Sequence, residues 1–151
     1  MPNRRAEIEL TPAEQAAMLD AARTAILVTI GPDGVPDPTA MWFVVDDNGH
    51  VVMRTYAKSQ KVRNLERDPR VAVLIEDGET YDTLRGLQLT GRITLSRDVE
   101  EVLDVVEGLA RKYQGVDGLD RDSLRDYAGK QAVLRLDVER RVSWDHSKLA
   151  R

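Results

Sequence analysis

The residues best suited to bind a phosphate lie in one short stretch of the chain, where cations directly follow a predicted strand. Six of the seventeen residues at positions 54–70 are basic, although the chain of 151 residues carries a formal net charge of −4. The basic residues are Arg54, Lys58, Lys61, Arg63, Arg67 and Arg70. Because Lys58 and Lys61 flank a predicted helix start, where backbone N–H groups point outward, this region favours anions. The pattern predicts a site for a phosphate-bearing small molecule.

Side chains suited to acid–base, nucleophilic or metal chemistry are few. The chain has no cysteine and two histidines, His50 beside a turn glycine and His146 near the end, and neither has triad or metal-ligand spacing. Two pairs of adjacent carboxylates fall in a predicted turn and at a predicted helix start. We therefore predict no metal site and assign no catalytic residue. An enzyme with this inventory must take its reactivity from a bound cofactor.

Composition narrows the class of protein. With 42% apolar and 32% charged residues, the chain fits a single domain over 1–151, with a flexible N-terminus at 1–10 and a C-terminal tail at 140–151. Its acidic pI of about 5.3 argues against nucleic-acid binding, which requires a broad basic surface. No segment has the roughly 18 apolar residues of a membrane span, and none resembles a signal peptide. We expect a cytoplasmic protein.

Periodicity and turn residues predict the order of elements. The predicted strands are 25–30, 39–45, 51–56, 71–76, 84–95 and 131–138, and the predicted helices are 12–23, 60–67 and 99–114. Thr11, Ser59 and Asp98 are the expected N-caps of the three helices. The turns at 31–34 and 46–49 predict that the first three strands form consecutive antiparallel hairpins. Gly86 and Gly91 predict bulges or close backbone approach.

Six strands joined mostly by short turns, with one late crossover helix, predict an antiparallel β-barrel rather than a doubly wound sheet. The chain contains neither a GxGxxG nor a P-loop pattern. The phosphate site therefore requires a scaffold other than a Rossmann fold.

An ordered series of motifs resembles a known family. The motifs are Gly34-Val35-Pro36, the hairpin at Asn48-Gly49, Arg54-Thr55, Lys61, Asn64-Leu65 and Asp68-Pro69-Arg70-Val71. They resemble the pyridoxamine 5′-phosphate oxidase-like split-barrel flavoproteins. Within these, the chain is most similar to the actinobacterial flavin/deazaflavin oxidoreductases of the B branch, which commonly use coenzyme F420. The resemblance covers about residues 11–144 and implies a mainly β fold, a six-stranded antiparallel split β-barrel with a few peripheral helices.

The resemblance also implies a homodimer with two equivalent sites between its protomers. The cofactor-binding residues that it implies are Thr39, Ala40, Met41, Trp42, Arg54, Thr55, Lys58 and Lys61. The strand residues among them would lie along the flavin ring, with backbone groups meeting its polar edge. Thr55, Lys58 and Lys61 would bind the phosphate, with Arg54 nearby.

The chain departs from the pattern of the FMN-using oxidases at three positions. Thr39 and Val44 stand where those enzymes have an arginine and a lysine, and Gln60 stands where an arginine commonly precedes the motif lysine. The missing cations weaken the case for FMN and for vitamin B6 oxidation. The deazaflavin is favoured instead, and its polyglutamate tail could meet Arg63 or Arg85.

The resemblance implies a coenzyme F420-dependent oxidoreductase that transfers a hydride from reduced deazaflavin to an unsaturated or conjugated organic acceptor. Two alternatives remain open: a non-catalytic protein that binds or carries F420 or FMN, and an FMN-dependent enzyme of the pyridoxamine-phosphate-oxidase type. A haem-binding split barrel is disfavoured, because convincing axial histidines are scarce.

Overall fold

A computed structural model describes residues 3–150 of the chain. The strands are β1 (Ala25–Ile30), β2 (Pro36–Met41), β3 (Val44–Val45), β4 (Val51–Tyr56), β5 (Arg70–Asp77), β6 (Arg85–Ser96) and β7 (Gln131–Asp145). The α-helices are α1 (Arg4–Glu7), α2 (Pro12–Ala21), α3 (Gln60–Arg67), α4 (Val99–Gln114) and α5 (Arg125–Ala128). Short 3₁₀ segments cover Tyr81–Thr83, Asp122–Leu124 and His146–Ala150. None of the helices in the described range has the length and apolar character needed to cross a membrane.

All strands belong to one antiparallel sheet in the order β2-β1-β5-β6-β7-β4-β3. The sheet curls around a core that includes Leu27, Phe43, Met53, Leu89 and Leu134. A second, smaller core lies where α4 covers the other face of β4 and β7. The predicted mainly β split-barrel fold is confirmed.

The sheet has seven strands rather than the predicted six, because the predicted strand 39–45 is divided. Phe43 is fully buried, and its backbone N–H and C=O both bond to the hydroxyl of Tyr113 instead of a neighbouring strand. The chain therefore leaves β2 at one edge of the sheet and resumes as β3 at the other. The prediction of three consecutive hairpin strands is wrong at this point, whereas the hairpins β1–β2 and β3–β4 are confirmed.

The segment predicted as a tail at 140–151 instead continues β7 as far as Asp145 and pairs with β6. The alternation of apolar residues stops at positions 139–141, which are three exposed charged residues, so the sequence pattern did not predict that the strand continues. The ladder shifts register at Gly91, where an added Cβ would lie 2.0 Å from the carbonyl oxygen of Asp137. Gly86 is equally constrained, since its added Cβ would lie 1.9 Å from the Trp144 ring. Both glycine predictions are confirmed.

Local sequence signals set the helix ends as expected. Thr11 and Glu14 form a reciprocal capping box at α2, and the side chains of Ser59 and Asp98 cap α3 and α4. Gly115 ends α4 with a φ of 64°. Within the segment predicted to be flexible, residues 4–7 form α1, and Met1 and Pro2 lie outside the described residues. Leu10 is 5% exposed, and its N–H donates to the Ser143 hydroxyl at 3.0 Å.

Candidate functional site

The C-terminal ends of β2 and β4 meet at an open groove of about 400 Å³. The groove is lined by Ala40, Met41 and Trp42 after β2, by Arg54, Thr55 and Tyr56 of β4, and by Leu109 of α4 and Gln131 of β7. Two larger cavities, of about 530 and 730 Å³, lie beside α2 and beside the β3–β4 hairpin. Neither contains a predicted cofactor-binding residue, so the smaller groove is the candidate site.

Five of the eight predicted cofactor-binding residues line this groove. They are Ala40, Met41, Trp42, Arg54 and Thr55. Thr39 is half-buried one residue before the lining of the groove, on edge strand β2. Lys58 and Lys61 lie outside the lining, at the turn after β4 and in the first turn of α3.

The edge position of β2 leaves backbone groups available beside the groove. Prolines within a sheet lie on edge strands, with the nitrogen that lacks a hydrogen directed away from the neighbouring strand. The backbone nitrogens of Pro36 and Pro38 on edge strand β2 therefore point away from β1. By the two-residue period of a strand, the N–H of Ala40 points the same way. A planar ring at this edge would therefore meet an unpaired backbone donor.

Arg54 carries an unpartnered donor at the groove. Its Nη1 donates to the Gln131 side-chain oxygen at 3.0 Å, and its guanidinium lies over the Tyr127 ring at 5.4 Å from the centroid. Its Nε is buried and has no hydrogen-bond partner in the described part of the chain. Buried polar atoms without partners are uncommon in native proteins. Arg54 therefore fits an anionic or carbonyl acceptor that the chain itself does not supply.

The basic segment divides into paired and unpaired cations. Arg70 forms an ion pair with Asp68, and Arg67 donates to the carbonyl oxygen of Ile30. The hydrogen bonds from Arg70 lower the pKa of Asp68 to about 2. By contrast, Lys58, Lys61 and Arg63 make no ion pair or side-chain hydrogen bond within residues 3–150. The uncompensated positive charge therefore concentrates at the start of α3.

Asn64 fixes α3 to the sheet and so positions these lysines. Its side chain is 0% exposed, and its Nδ2 donates to the Thr29 hydroxyl at 3.0 Å and to an Asp37 carboxylate oxygen at 3.1 Å. Its Oδ1 accepts a hydrogen bond from Gln60 at 2.9 Å. Val62, from the same helix, is also fully buried. The helix start that carries Lys61 is thus held against β1 and β2.

Tyr113 contacts Trp42, one of the residues that line the groove. Its ring stacks on Trp42 with centroids 4.3 Å apart and planes 5° apart, and its hydroxyl accepts from the N–H of Phe43 at 3.0 Å. Burial raises the pKa of Tyr113, although the hydrogen bond from Phe43 opposes that shift. The neighbouring Lys112 ammonium lies 3.7 Å from the centroid of the Phe43 ring, and burial lowers the pKa of Lys112.

Several residues in or behind the groove were not predicted as site residues from the sequence. The lining residues Tyr56, Leu109 and Gln131 were given no site role. Behind the lining, Tyr113 was assigned to the core stripe of α4 and Tyr127 was given no role. A tyrosine at the end of an apolar helix stripe is the one signal that could have indicated a role for Tyr113, because its hydroxyl needs a polar partner when buried. Arg85, a predicted contact for an acidic tail, is instead held by Asp77 in the 530 Å³ cavity.

Comparison with known proteins places the chain among similar folds. Residues 11–145 match the family model described as pyridoxamine 5′-phosphate oxidase. A conserved hypothetical protein from Mycobacterium tuberculosis is 42% identical, with a TM-score of 0.90 over 97% of this chain and 92% of that one. A structure named F420 reductase is 22% identical (TM-score 0.62, covering 83% and 93% of the two chains). A FAD-binding protein from Mesorhizobium loti is 17% identical (TM-score 0.66, covering 89% and 94%). The last two show a shared fold alone.

Proposed function

Because this chain belongs to the pyridoxamine 5′-phosphate oxidase family, we propose that it is a coenzyme F420-dependent oxidoreductase. The reduced deazaflavin supplies a hydride when bound, and the acceptor is an unsaturated or conjugated organic molecule. The observation that carries the proposal is Arg54, which lines the groove and whose buried Nε lacks a partner in the described chain; the unpaired Lys58 and Lys61 follow it by a few residues.

The residues around the groove fit a cofactor with a planar ring and an anionic arm. The backbone of 39–42 borders the ring, and the edge position of Ala40 leaves its N–H for a ring oxygen or nitrogen. Arg54 and Thr55 lie at the end of β4, and Lys58 and Lys61 follow at the start of α3. Charge-assisted hydrogen bonds from such cations to phosphate are about twice as strong as neutral ones. These side chains therefore bind and orient the anionic arm.

Two uncharged positions favour the deazaflavin over FMN. Thr39 lies on β2, and the side chain of Val44 packs beside Gly108 of α4, so neither position supplies the cation of an FMN-using oxidase. Arg63 remains exposed and unpaired within the described range, available to a carboxylate-bearing tail. FMN is the alternative cofactor, since its shorter anionic arm needs fewer cations.

An apolar surface beside the groove supports a homodimer with the site at its interface. Ile26, Val28 and Ile30 alternate with the buried residues of β1, and their side chains point out of the core. Ala72 and Leu74 of β5 stand opposite Val28 and Ile26. We call this the β1–β5 face. A second copy that covers it also approaches the groove, because Ala40 pairs with Ile26.

A carrier protein is the second candidate function. The described lining of the groove includes no carboxylate and no imidazole, so no side chain there is an evident proton donor or acceptor near neutral pH. The same cations would retain a deazaflavin without turnover. An oxidoreductase then requires the proton to come from water.

Binding and turnover separate these candidates. Purified protein is titrated with F420, FMN and FAD by fluorescence, and oxidation of reduced F420 is followed with an acceptor, with and without protein. We expect F420 to bind most tightly and to be oxidised faster with protein present. Tight binding without acceleration across a panel of conjugated acceptors favours the carrier. Tighter binding of FMN than of F420 contradicts the proposed cofactor.

A further inference from the structure

Trp42 presents one face of its indole ring to the groove. The other face is covered by Tyr113, whose ring lies parallel at 4.3 Å between centroids. Trp42 is nevertheless 51% exposed and belongs to the lining of the groove. An exposed tryptophan of this kind is unusual next to a packed core, because burial of such a ring is favourable. No second aromatic ring and no cation stacks on the indole within residues 3–150, so the exposed area of Trp42 lies on its second face and its edges.

Tyr113, which stacks on Trp42, is itself held by several contacts. The Arg23 guanidinium lies over the Tyr113 ring at 4.7 Å from its centroid, and the Lys112 ammonium lies over the same ring at 5.3 Å. Arg23 also donates to the backbone oxygens of Lys112 and Tyr113. The Tyr113 hydroxyl is fixed in turn by both backbone groups of Phe43. We call Arg23, Tyr113 and Trp42 the Trp42 column.

We propose that the Trp42 column is the specificity-determining platform for the acceptor, and that it binds a planar, electron-poor conjugated ring against the free face of Trp42. This inference rests on the proposed function and identifies the acceptor side of the same groove. Trp42 makes the contact, and Tyr113 is a positioning residue that acts through it.

Electrostatics define the class of ring. The face of an indole carries negative potential and attracts electron-poor rings or cations. Cationic ligands are disfavoured here, because Arg54 lines the same groove and Lys58 and Lys61 follow it in the chain. A neutral or anionic planar ring with electron-withdrawing substituents satisfies both conditions. Saturated ligands of the same size lack the π-face that stacking requires.

The probe for this platform is 1,8-naphthalimide, which is planar and electron-poor and is used here only for binding. Its comparator is the fully saturated decahydro-1,8-naphthalimide, which keeps the imide and the carbon skeleton and lacks the aromatic rings. Binding of each to the full chain is measured by equilibrium dialysis. We expect the wild type to bind the naphthalimide at least tenfold more tightly than the saturated imide. Equal binding of the two overturns the inference.

Substitutions in the Trp42 column test whether it causes the preference for the naphthalimide over the saturated imide. We expect Trp42→Leu to lower the affinity for the naphthalimide at least tenfold and Tyr113→Leu to lower it several-fold. In the Tyr113→Leu variant we also expect a weaker near-ultraviolet circular dichroism signal from Trp42. Tyr81→Leu, which removes a well-exposed aromatic ring outside the groove, is the matched control and keeps wild-type affinity. Wild-type affinity in a folded Trp42→Leu variant overturns the inference. If the Trp42→Leu variant does not fold, the affinities of the wild type for the naphthalimide and for the saturated imide still test the inference.

Saturating F420 separates this inference from the proposed function. The dialysis is repeated with F420 present, and we expect the naphthalimide to remain bound because the platform lies on the acceptor side. Displacement of the naphthalimide by F420 assigns the platform to the cofactor ring and overturns the inference while supporting the proposed function. Failure of F420 itself to bind, seen in the direct titration, counts against the proposed function alone.

Discussion

The hydroxyl of Tyr113 bonds to both backbone groups of Phe43, accepting from its N–H at 3.0 Å and donating to its C=O at 3.2 Å. These bonds replace the strand partners that Phe43 would otherwise have, at the point where the chain passes from one edge of the sheet to the other. The same tyrosine stacks on Trp42. One α4 side chain therefore sets both the break between β2 and β3 and the wall of the groove.

Tyr113→Phe is expected to destabilise the protein. The change keeps the ring on Trp42 but leaves two buried backbone groups of Phe43 without partners, which costs about 1–3 kcal/mol. Urea unfolding followed by circular dichroism measures the change in the free energy of unfolding. Tyr127→Phe is the matched control, because the Tyr127 hydroxyl makes no hydrogen bond in the described part of the chain, and we expect it to change stability by less than about 0.5 kcal/mol. Equal stability of the Tyr113→Phe variant and the wild type would contradict the assigned role.

Asn64→Ala is expected to loosen α3 from the sheet. The variant removes the donor that satisfies Thr29 and Asp37 in a buried site, so we expect a loss of about 2–3 kcal/mol in the free energy of unfolding. Gln114→Ala, at an exposed amide near the end of α4, is the control and should lie close to wild type. Hydrogen exchange should also rise across α3 in the Asn64 variant. Unchanged protection of α3 would show that the helix is held by its apolar residues alone.

Asp68 is expected to make stability depend on pH at the acidic end. Hydrogen bonds from Arg70 lower the pKa of Asp68 from 3.8 to about 2 in the folded protein. A depressed folded pKa adds stability above the unfolded value, and that stability is lost as pH falls through about 2. The melting temperature of wild type should therefore exceed that of Asp68→Asn near neutral pH, and the difference should shrink between about pH 4 and pH 2. Asp126→Asn, at an exposed carboxylate without a described ion pair, should show no such convergence, and a constant Asp68 difference down to pH 2 would contradict the assignment.

A charge on the β1–β5 face is expected to prevent dimerisation. Val28 points out of the core and lies near the centre of the β1–β5 face. Val28→Glu therefore places an unpaired carboxylate in an apolar interface, where burial of a charge is strongly unfavourable. Multi-angle light scattering at micromolar concentration should give a dimer for wild type and a monomer for the variant. Val35→Glu, at an exposed turn position, should remain dimeric. A monomeric wild type would contradict the shared groove, and a dimeric Val28→Glu variant would place the interface elsewhere.

Features set by neighbouring residues could be predicted from the sequence. The caps at Thr11, Ser59 and Asp98 and the hairpin at 46–49 depend on residues within a few positions, and each was predicted correctly. The division between β2 and β3 could not be predicted, because it depends on Tyr113, seventy positions beyond Phe43.

The same distinction applies to the groove. The family resemblance implied Arg54 and Thr55 as cofactor-binding residues; both line the groove at the end of β4, and their binding role stays a prediction. Gln131 and Tyr127 meet Arg54 only because β7 pairs with β4 and α5 precedes β7. No periodicity in the sequence reports that pairing, so their place at the site could not be predicted.

The central claim is that the unpaired cations between the end of β4 and the first turn of α3 bind the anionic arm of a deazaflavin, and titration with F420 tests it most directly. Lys61→Ala should weaken binding by about 1.5–3 kcal/mol, because it removes a charge-assisted contact, and wild-type affinity should fall as salt rises. Arg140→Ala, at an exposed cation in β7, is the control and should bind as wild type does. Wild-type affinity in the Lys61→Ala variant, together with binding that does not respond to salt, would contradict the account.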